Sequence, residues 1–324
     1  GDVLHLGLST GSDAKILVVG DGDFSYSRAL MRILAPINLI ATSYDTSDEL
    51  KQKYPHCAEI LSDLNSLNVA LMHGVDARKL EEKFPQGKFE RIVFMFPQSP
   101  PKRKGRNKIQ LHRALIAEFL QSAVHVLAPN GRIYITLLQG QGGTTVENAP
   151  RGYLNSWWVN QAAANAGCLI ASVHKLDSDS LHEKGYISRG YMDSSGQFLH
   201  PLNISNPKKR RKKEGFTHVI IPSDGVTPGI DSPDYTFDNS FWVKDDFDEK
   251  EFQAFIKDNI APTGVIEEIS NLDTYKDPES ARVAKTYRFR YRDLMNPIGK
   301  KAAGKLNEKV RAMIKDSFAV GEMR

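Results

Sequence analysis

The residues best suited to chemistry sit at the ends of short apolar runs. In ILVVGDGDFSYS an aliphatic run passes directly into Gly20, Asp21, Gly22, Asp23, Phe24 and Ser25. The next run, INLIATSYD, ends in Asp45, and the one after it, VALMHGVDA, carries Asp76 near its end. A glycine at a strand-to-helix turn supplies a positive φ, and alone it implies only a tight turn. A carboxylate ending the second run can accept both ribose hydroxyls of an adenosine, and one ending the third can meet the adenine amino group. Together the three run ends point to a nucleoside pocket. A dinucleotide is not expected, because its fingerprint needs a third glycine where Phe24 and Ser25 stand. No phosphate-binding lysine of the Walker type follows the turn either. A non-phosphorylated adenosine ligand, S-adenosylmethionine, fits better.

A second group lies in FMFPQSPPKRKGRNK. Here Met95, Phe96, Pro97 and Gln98 close a fourth apolar run and form a candidate base-facing loop. Lys102, Arg103, Lys104, Arg106 and Lys108 follow with no acid among them. Such a run is often only a solvated loop, but beside the proposed ligand edge it suits phosphate contacts. KKRRKK (208–213) reads equally as a nuclear-import signal or an RNA-contacting tract.

These residues need elements to hold them. KILVV, INLIATSYD, VALMHGVDA, FERIVFMFP, RIYITLL and CLIASVHKL read as strands. Between them lie helical stretches, among them SDELKQKYP with Ser47 as its cap, QLHRALIAEFLQSAVHVL, and LNSWWVNQAAANAG ending at Gly167. Alternating β and α elements with such crossovers imply a doubly wound parallel sheet of the α/β class, with helices on both faces. From about residue 177 the alternation stops, and PSDGVTPGIDSPD reads as a linker. Then FDNSFWV, DEKEFQAFIKDNI, VIEEISNLDTY, AKTYRFRYRD and GKLNEKVRAMIKDSF give β-α-β-β-α, an α+β split βαβ order with a short last strand possible. Expected domains are therefore an extension at 1–14, a Rossmann-like domain at 15–200, a basic tract and linker at 201–233, and a ferredoxin-like domain at 234–324. In TYRFRYR the aromatics Tyr287, Phe289 and Tyr291 share one face, expected to pack on helices. Arg288, Arg290 and Arg292 share the other, expected to be open to RNA.

The chain has 324 residues, 40% hydrophobic and 25% charged, with a formal net charge of only +4. It suits a soluble globular protein of about two domains, with no membrane span and no secretory signal expected. Its first residue, Gly1, leaves an upstream targeting segment open. Two cysteines, Cys57 and Cys168, without ligand spacing imply neither a disulfide framework nor a metal site.

GDGDFSYS, TSYD, GVDA and FERIVFMFPQ, with LLQGQGG, the Trp157–Trp158 segment and GYISRGY, resemble the eukaryotic large-subunit ribosomal RNA uridine-N3 methyltransferase family over roughly 15–191. The more common methyltransferase turn has an acid at the position of Val18 and a glycine at that of Phe24. The resemblance implies S-adenosylmethionine as cofactor, held by Gly20, Asp21, Gly22, Asp23, Phe24, Ser25, Asp45 and Asp76. Where that family reads Phe-Asn-Phe-Pro-His, this chain has Met95 for the asparagine and Gln98 for the histidine. A thioether cannot grip a base edge, and an amide is no general base. Two readings stay open: methyl transfer persists on positioning alone, or the fold is kept by an RNA-binding or assembly factor that lost the reaction. The part from 233 onward resembles the ferredoxin-fold anticodon-binding domain of organellar phenylalanyl-tRNA synthetases at Phe241, Trp242, Asp273, Tyr287, Arg288, Tyr291 and Arg292. The pairing of the two domains is similar to that of the ferredoxin-fold anticodon-binding domain-containing proteins. It implies rRNA or tRNA as partner, ribosomal or pre-ribosomal particles as a setting, and a third reading as a tRNA-binding accessory factor. The basic tract suits nucleus, nucleolus or cytoplasm, with the mitochondrion as an alternative.

Overall fold

The computed structural model describes residues 4–35, 37–99, 108–147, 150–188, 191–192, 198–199, 214–321 and 323. These form two compact units, Gly1–Pro222 and Ser223–Arg324. The first begins with β1 (Lys15–Val19), α1 (Ser25–Leu34), β2 (Asn38–Thr42), α2 (Ser47–Lys53), α3 (Cys57–Ser66) and β3 (Ala70–Met72). A single-turn 3-10 helix, Ala77–Lys79, leads into α4 (Leu80–Lys83), β4 (Phe89–Met95), α5 (Lys108–Val126) and β5 (Leu127–Leu138). Then come α6 (Val159–Asn165), β6 (Cys168–Lys175), α7 (Ser178–Glu183), the small hairpin β7 (Tyr191–Met192) and β8 (Phe198–Leu199), and β9 (Gly215–Pro222).

Seven strands form one sheet in the order β3-β2-β1-β4-β5-β9-β6. The pairs β1–β2, β1–β4, β2–β3 and β4–β5 are parallel, while β9 runs antiparallel to both β5 and β6. Central strands are buried on both faces, so Ile16, Leu17, Val18 and Val19 in β1 are each at most 1% exposed. The strand order reverses between β1 and β4, and a crevice for a ligand opens outside the carboxyl ends of strands at such a reversal. The α/β expectation is met.

Several elements differ from the sequence reading. β9 lies inside the stretch expected to be basic tract and linker, and it fills the sheet between β5 and β6. The cap of α2 is Thr46 rather than Ser47: its hydroxyl accepts from the Glu49 N–H and the Glu49 carboxylate accepts from the Thr46 N–H, a capping box. Helix α6 starts only at Val159, after Trp158 in the left-handed region at φ 55°, so the tryptophan pair belongs to the preceding loop.

The second unit runs β10 (Tyr235–Trp242), α8 (Glu249–Asn259), β11 (Ile266–Lys276), β12 (Val283–Tyr291) and α9 (Lys300–Ser317). Its antiparallel sheet has the order β10-β12-β11, as a split βαβ unit requires. After α9 the chain reaches the free edge of β10, where the Lys244 N–H donates to Phe318 O (3.2 Å) and the Val320 N–H to Trp242 O (2.8 Å). That contact occupies the place of the short final strand. Tyr287, Phe289 and Tyr291 are all fully buried against the helices. Among the described residues no helix is long and apolar enough to cross a membrane.

Candidate functional site

The turn after β1 is built by its own residues. Gly20 takes φ 62°, and a Cβ there would come within 2.8 Å of Cε2 of Phe94 on β4, so glycine is needed for packing as well as conformation. Gly22 is also at positive φ (26°), as is Phe24 (64°), which enters α1 without a side-chain cap of its own. Asp21 supplies the cap instead. Its carboxylate accepts from the amides of Tyr26 (3.2 Å) and Ser27 (2.7 Å), two donors otherwise orphaned at the start of α1. Burial pushes this carboxyl up from 3.8 to about 7, despite the lowering hydrogen bonds from Ser27 and with a further push from Asp23.

Asp23 is 2% exposed; it accepts from the Ser25 amide (3.1 Å) and faces His56 Nε2 at 2.9 Å. The Ser25 hydroxyl meets Ile187 twice, donating to its carbonyl and accepting from its amide, both at 3.1 Å. Tyr186 and Ile187 therefore dock on the turn, with Tyr186 4% exposed and edge-on to Tyr26. Burial raises the Tyr186 hydroxyl well above the usual tyrosine value.

Two other acids reach the same edge of the sheet. Asp45 follows β2 and pairs with Lys53 of α2 at 3.2 Å. The edge is laced together by Asp21 N–H to Thr42 O (2.9 Å), Ser43 N–H to Met72 O (3.0 Å) and Gly74 N–H to Asp45 O (3.1 Å). Asp76 is already engaged: Arg78 grips it with Nε and Nη2, at 2.9 and 2.6 Å to the two oxygens, and with its own amide at 2.9 Å. These bonds hold the Asp76 carboxyl below the usual range. Arg78 Nη1 also lies 3.7 Å from Glu118. Asp21, Asp23, Asp45 and Asp76 thus lie near one edge of the sheet, and all four have partners within the chain.

At the end of β4, Met95 is 9% exposed and belongs to the hydrophobic core. Phe96 is 4% exposed at φ 46°, its amide donating to Thr136 O (2.8 Å), and Pro97 is buried. Gln98, half-buried, is the one of the four that reaches outward. Its Oε1 lies 3.1 Å from Nε2 of His112 on α5. Nδ1 of His112 is 2.6 Å from the Lys108 carbonyl and must donate there. A neutral ring then accepts at Nε2, which pairs it with the Gln98 amide turned to present its NH2. Burial holds His112 below the usual histidine value, against the raising bond to Lys108. The ring stacks on Trp157 at 4.2 Å. Nothing in the spacing from Gln98 to His112 advertises this pair, because it is made across a loop.

Beside it, LLQGQGG folds over a buried polar pair. Glu147, 1% exposed, accepts from the amides of Gly140 and Thr144, both at 2.8 Å, and faces His218 of β9 at 3.8 Å, beyond hydrogen-bond reach. Burial raises the Glu147 carboxyl, but the facing imidazole and the Thr144 bonds outweigh it and hold it below the usual value. A Cβ on Gly142 would fall 2.2 Å from His218 Nε2, so that glycine is required by close approach.

The arginine face of β12 is exposed to solvent, and each of its guanidiniums is paired within the chain. Arg288 meets Asp238 through two bonds of 2.8 Å, Arg290 meets Asp234 at 2.7 Å and Glu267 at 3.2 Å, and Arg292 meets Glu267. The expected alternation is present, yet acids on β10 and β11, or just before β10, neutralise it. Lys108 is exposed at the start of α5; Lys102, Arg103, Lys104, Arg106 and the tract at 208–213 lie outside the described residues. Among the described residues no group of three His, Cys, Asp or Glu is placed to hold a metal ion.

Residues 17–189 match the family model described as BMT5-like, rRNA (uridine-N3-)-methyltransferase BTM5-like. The chain is 32% identical over 188 residues to ferredoxin-fold anticodon-binding domain-containing protein 1 of Homo sapiens and to its Mus musculus homolog, covering 57% of this chain and 29% of each of them. An uncharacterized Arabidopsis thaliana protein is 33% identical over 185 residues, 55% of this chain and 82% of that one. The chain thus spans under a third of the two mammalian relatives. Similar solved structures include the 16S rRNA methyltransferase KamB, at 15% identity and TM-score 0.40 over 65% of this chain and 89% of that one. An O-methyltransferase from a Brevibacillus brevis multienzyme matches at 14% identity and TM-score 0.43, over 69% of this chain and 72% of that one. With just over half of its length matched by the family model, and with the glycine turn and the acid-bearing strand ends at one sheet edge, the chain belongs to the BMT5-like rRNA (uridine-N3)-methyltransferase family.

Proposed function

We propose that the first unit binds S-adenosylmethionine at the carboxyl edge between β1 and β4 and directs it at RNA, with a uridine base as the methyl acceptor. The observation that carries the cofactor half is Asp21. A pyrophosphate needs the free amides of a helix N-terminus, and here a carboxylate has taken two of them at 2.7 and 3.2 Å. A turn whose first amides are already taken has no cradle for a pyrophosphate, and it leaves room for a non-phosphorylated adenosine ligand. The glycine turn would face that ligand with its backbone, and Asp45 would exchange Lys53 for the ribose hydroxyls. Asp76 would meet the adenine only if Arg78 moved toward Glu118. When bound, the sulfonium supplies an electrophilic methyl group.

His112 supports the acceptor half. Uridine N3 must lose its proton to be methylated, and a neutral imidazole is suited to take it. With Nδ1–H held by the Lys108 carbonyl, Nε2 is the accepting nitrogen, and it points at Gln98 on the proposed base side. An imidazole from α5 would thus stand where the family pattern carries one at position 98. The reading without catalysis draws on Met95, whose buried thioether offers no amide for a base edge. The RNA would be rRNA by family; the tRNA-directed reading loses support from the paired arginines of β12. Calorimetry with S-adenosylmethionine, S-adenosylhomocysteine and NAD separates these ideas: the first two should bind and NAD should not. Binding of NAD, or of none of the three, rejects the cofactor reading. Tritium transfer from labelled cofactor to uridine-containing RNA, lost in His112→Ala, tests the acceptor half.

A further inference from the structure

The loop between β5 and α6 displays an aromatic ring at the surface and fixes it there. Tyr153 is 57% exposed and its neighbour Leu154 79% exposed. Exposed loop tips are normally held by little, yet this one is held by Arg113 of α5, itself only 7% exposed. The Arg113 guanidinium donates to three backbone carbonyls: Ser156 (2.9 Å), Tyr153 (2.9 Å) and Leu154 (3.1 Å). It also lies 3.4 Å from the centroid of the Trp158 ring. A cation that close covers one face of the indole and leaves the second to Tyr153, stacked at 4.7 Å and 30°. The indole N–H donates to Tyr153 O at 2.7 Å. Burial lowers the Arg113 guanidinium from its usual value, and the three loop carbonyls accept its hydrogen bonds in place of water.

We propose that Tyr153 is a stacking platform for an unpaired nucleobase flanking the target nucleotide. Stacked, pre-ordered aromatics take up bases irrespective of sequence, because every base has a π-face. A base paired in a duplex presents only its edge, so the ligand is a single-stranded or looped segment. The segment 150–158 contains no acid to repel phosphates, and Arg151 and Lys108 are both exposed nearby in sequence to Tyr153 and His112. Position argues the same way: Arg113 carries the platform while its neighbour His112 meets Gln98 and stacks on Trp157. Two successive residues of α5 therefore tie the exposed ring to the proposed base edge.

The proposal rests on the RNA-directed half of the proposed function and is independent of the cofactor. Its test uses the full chain and a short uridine-rich single strand carrying 2-aminopurine, with a blunt duplex of the same sequence as control. The loop is held chiefly by bonds to its backbone carbonyls, and Tyr153→Ala removes only the surface stack on Trp158, so the variant keeps the fold, which circular dichroism checks. The variant should bind the single strand about tenfold more weakly and lose the quenching of 2-aminopurine. Tyr153→Phe should keep both, and duplex binding should be unchanged in all. Equal affinity and equal quenching in Tyr153→Ala overturn the proposal. So does a wild-type dimer, seen by sedimentation, that dissociates in Tyr153→Ala while RNA binding is unaffected, which would make this a protein-contact face. If no single strand binds the wild type, the proposal and the RNA reading both fall, whereas failure of S-adenosylmethionine to bind in calorimetry removes only the cofactor reading.

Discussion

Asp21→Asn offers a direct measure of how the glycine turn is built. In the folded chain burial moves the Asp21 carboxyl from 3.8 to about 7, while in the unfolded chain it titrates near its usual value. The folded state therefore holds a proton that the unfolded state has released across that interval. Stability then falls as pH rises, by about 1.4 kcal/mol per pH unit, and levels off above the folded value. The whole interval amounts to about 4 kcal/mol for a fully buried group. Asparagine cannot ionise, so this slope should vanish in the variant. It also replaces one accepting oxygen by an NH2 facing a backbone amide, which costs about 1–3 kcal/mol at every pH. The signature is therefore the change in the wild-type minus variant difference, not its offset. Urea unfolding of the first unit at pH 5, 6, 7 and 8 gives that difference directly. The variant should gain on the wild type by most of those kilocalories between the lowest and highest pH. A difference constant across the series would show that the carboxylate stays charged throughout, and the account of a buried proton at the turn would be wrong.

Gly20→Ala should destabilise the first unit by about 2 kcal/mol or more, from the left-handed backbone and the approach to Phe94, and Phe94→Leu in the same chain should recover part of the loss in thermal unfolding. Met95→Asn places an unpartnered amide in the core, so a loss of about 1–3 kcal/mol is expected, and methyl transfer to uridine should not rise beyond the folded fraction. Replacing Arg288, Arg290 and Arg292 together by Gln should leave the salt dependence of RNA affinity nearly unchanged, because guanidiniums already paired with carboxylates release few counterions; a clearly shallower slope would return the second unit to the RNA interface.

Alternation and strand-end chemistry were legible in the sequence. KILVV and FERIVFMFP became β1 and β4 because a run buried on both faces has few alternatives, and Asp45 reached the sheet edge because it follows directly on β2. The roles of the turn residues were not legible. GDGDFSYS reads as a row of ligand groups, but whether Asp21 turns outward or back onto α1 depends on three-dimensional sterics at Phe24, not on spacing. TYRFRYR gave the correct faces, since period-two alternation is a local property. Its charge did not follow, because Asp238 and Glu267 meet the arginines through a register that only folding sets. Strand β9 was missed for a related reason: FTHVII lies beyond KKRRKK, where composition suggested a linker. His112 and Arg113 sit in an amphipathic helix whose pattern accounts for them without any further role.

The place of β9 bears on how this fold could be taken apart. β5 and β6 are not neighbours; each is bonded to β9, which arrives after the excursion through 176–214. A chain ending before 215 would leave both strands with an open flank and His218 absent from beneath the Gln139–Gly143 loop. A chain cut just before 214 would keep the bonds of β9, because that strand is gripped along both sides and would stay threaded between its partners. The first unit is thus suited to fragment complementation: a piece ending before the basic tract and a second beginning at β9 should reassociate, and the β5-β9-β6 flank of the sheet would re-form only when the two pieces meet.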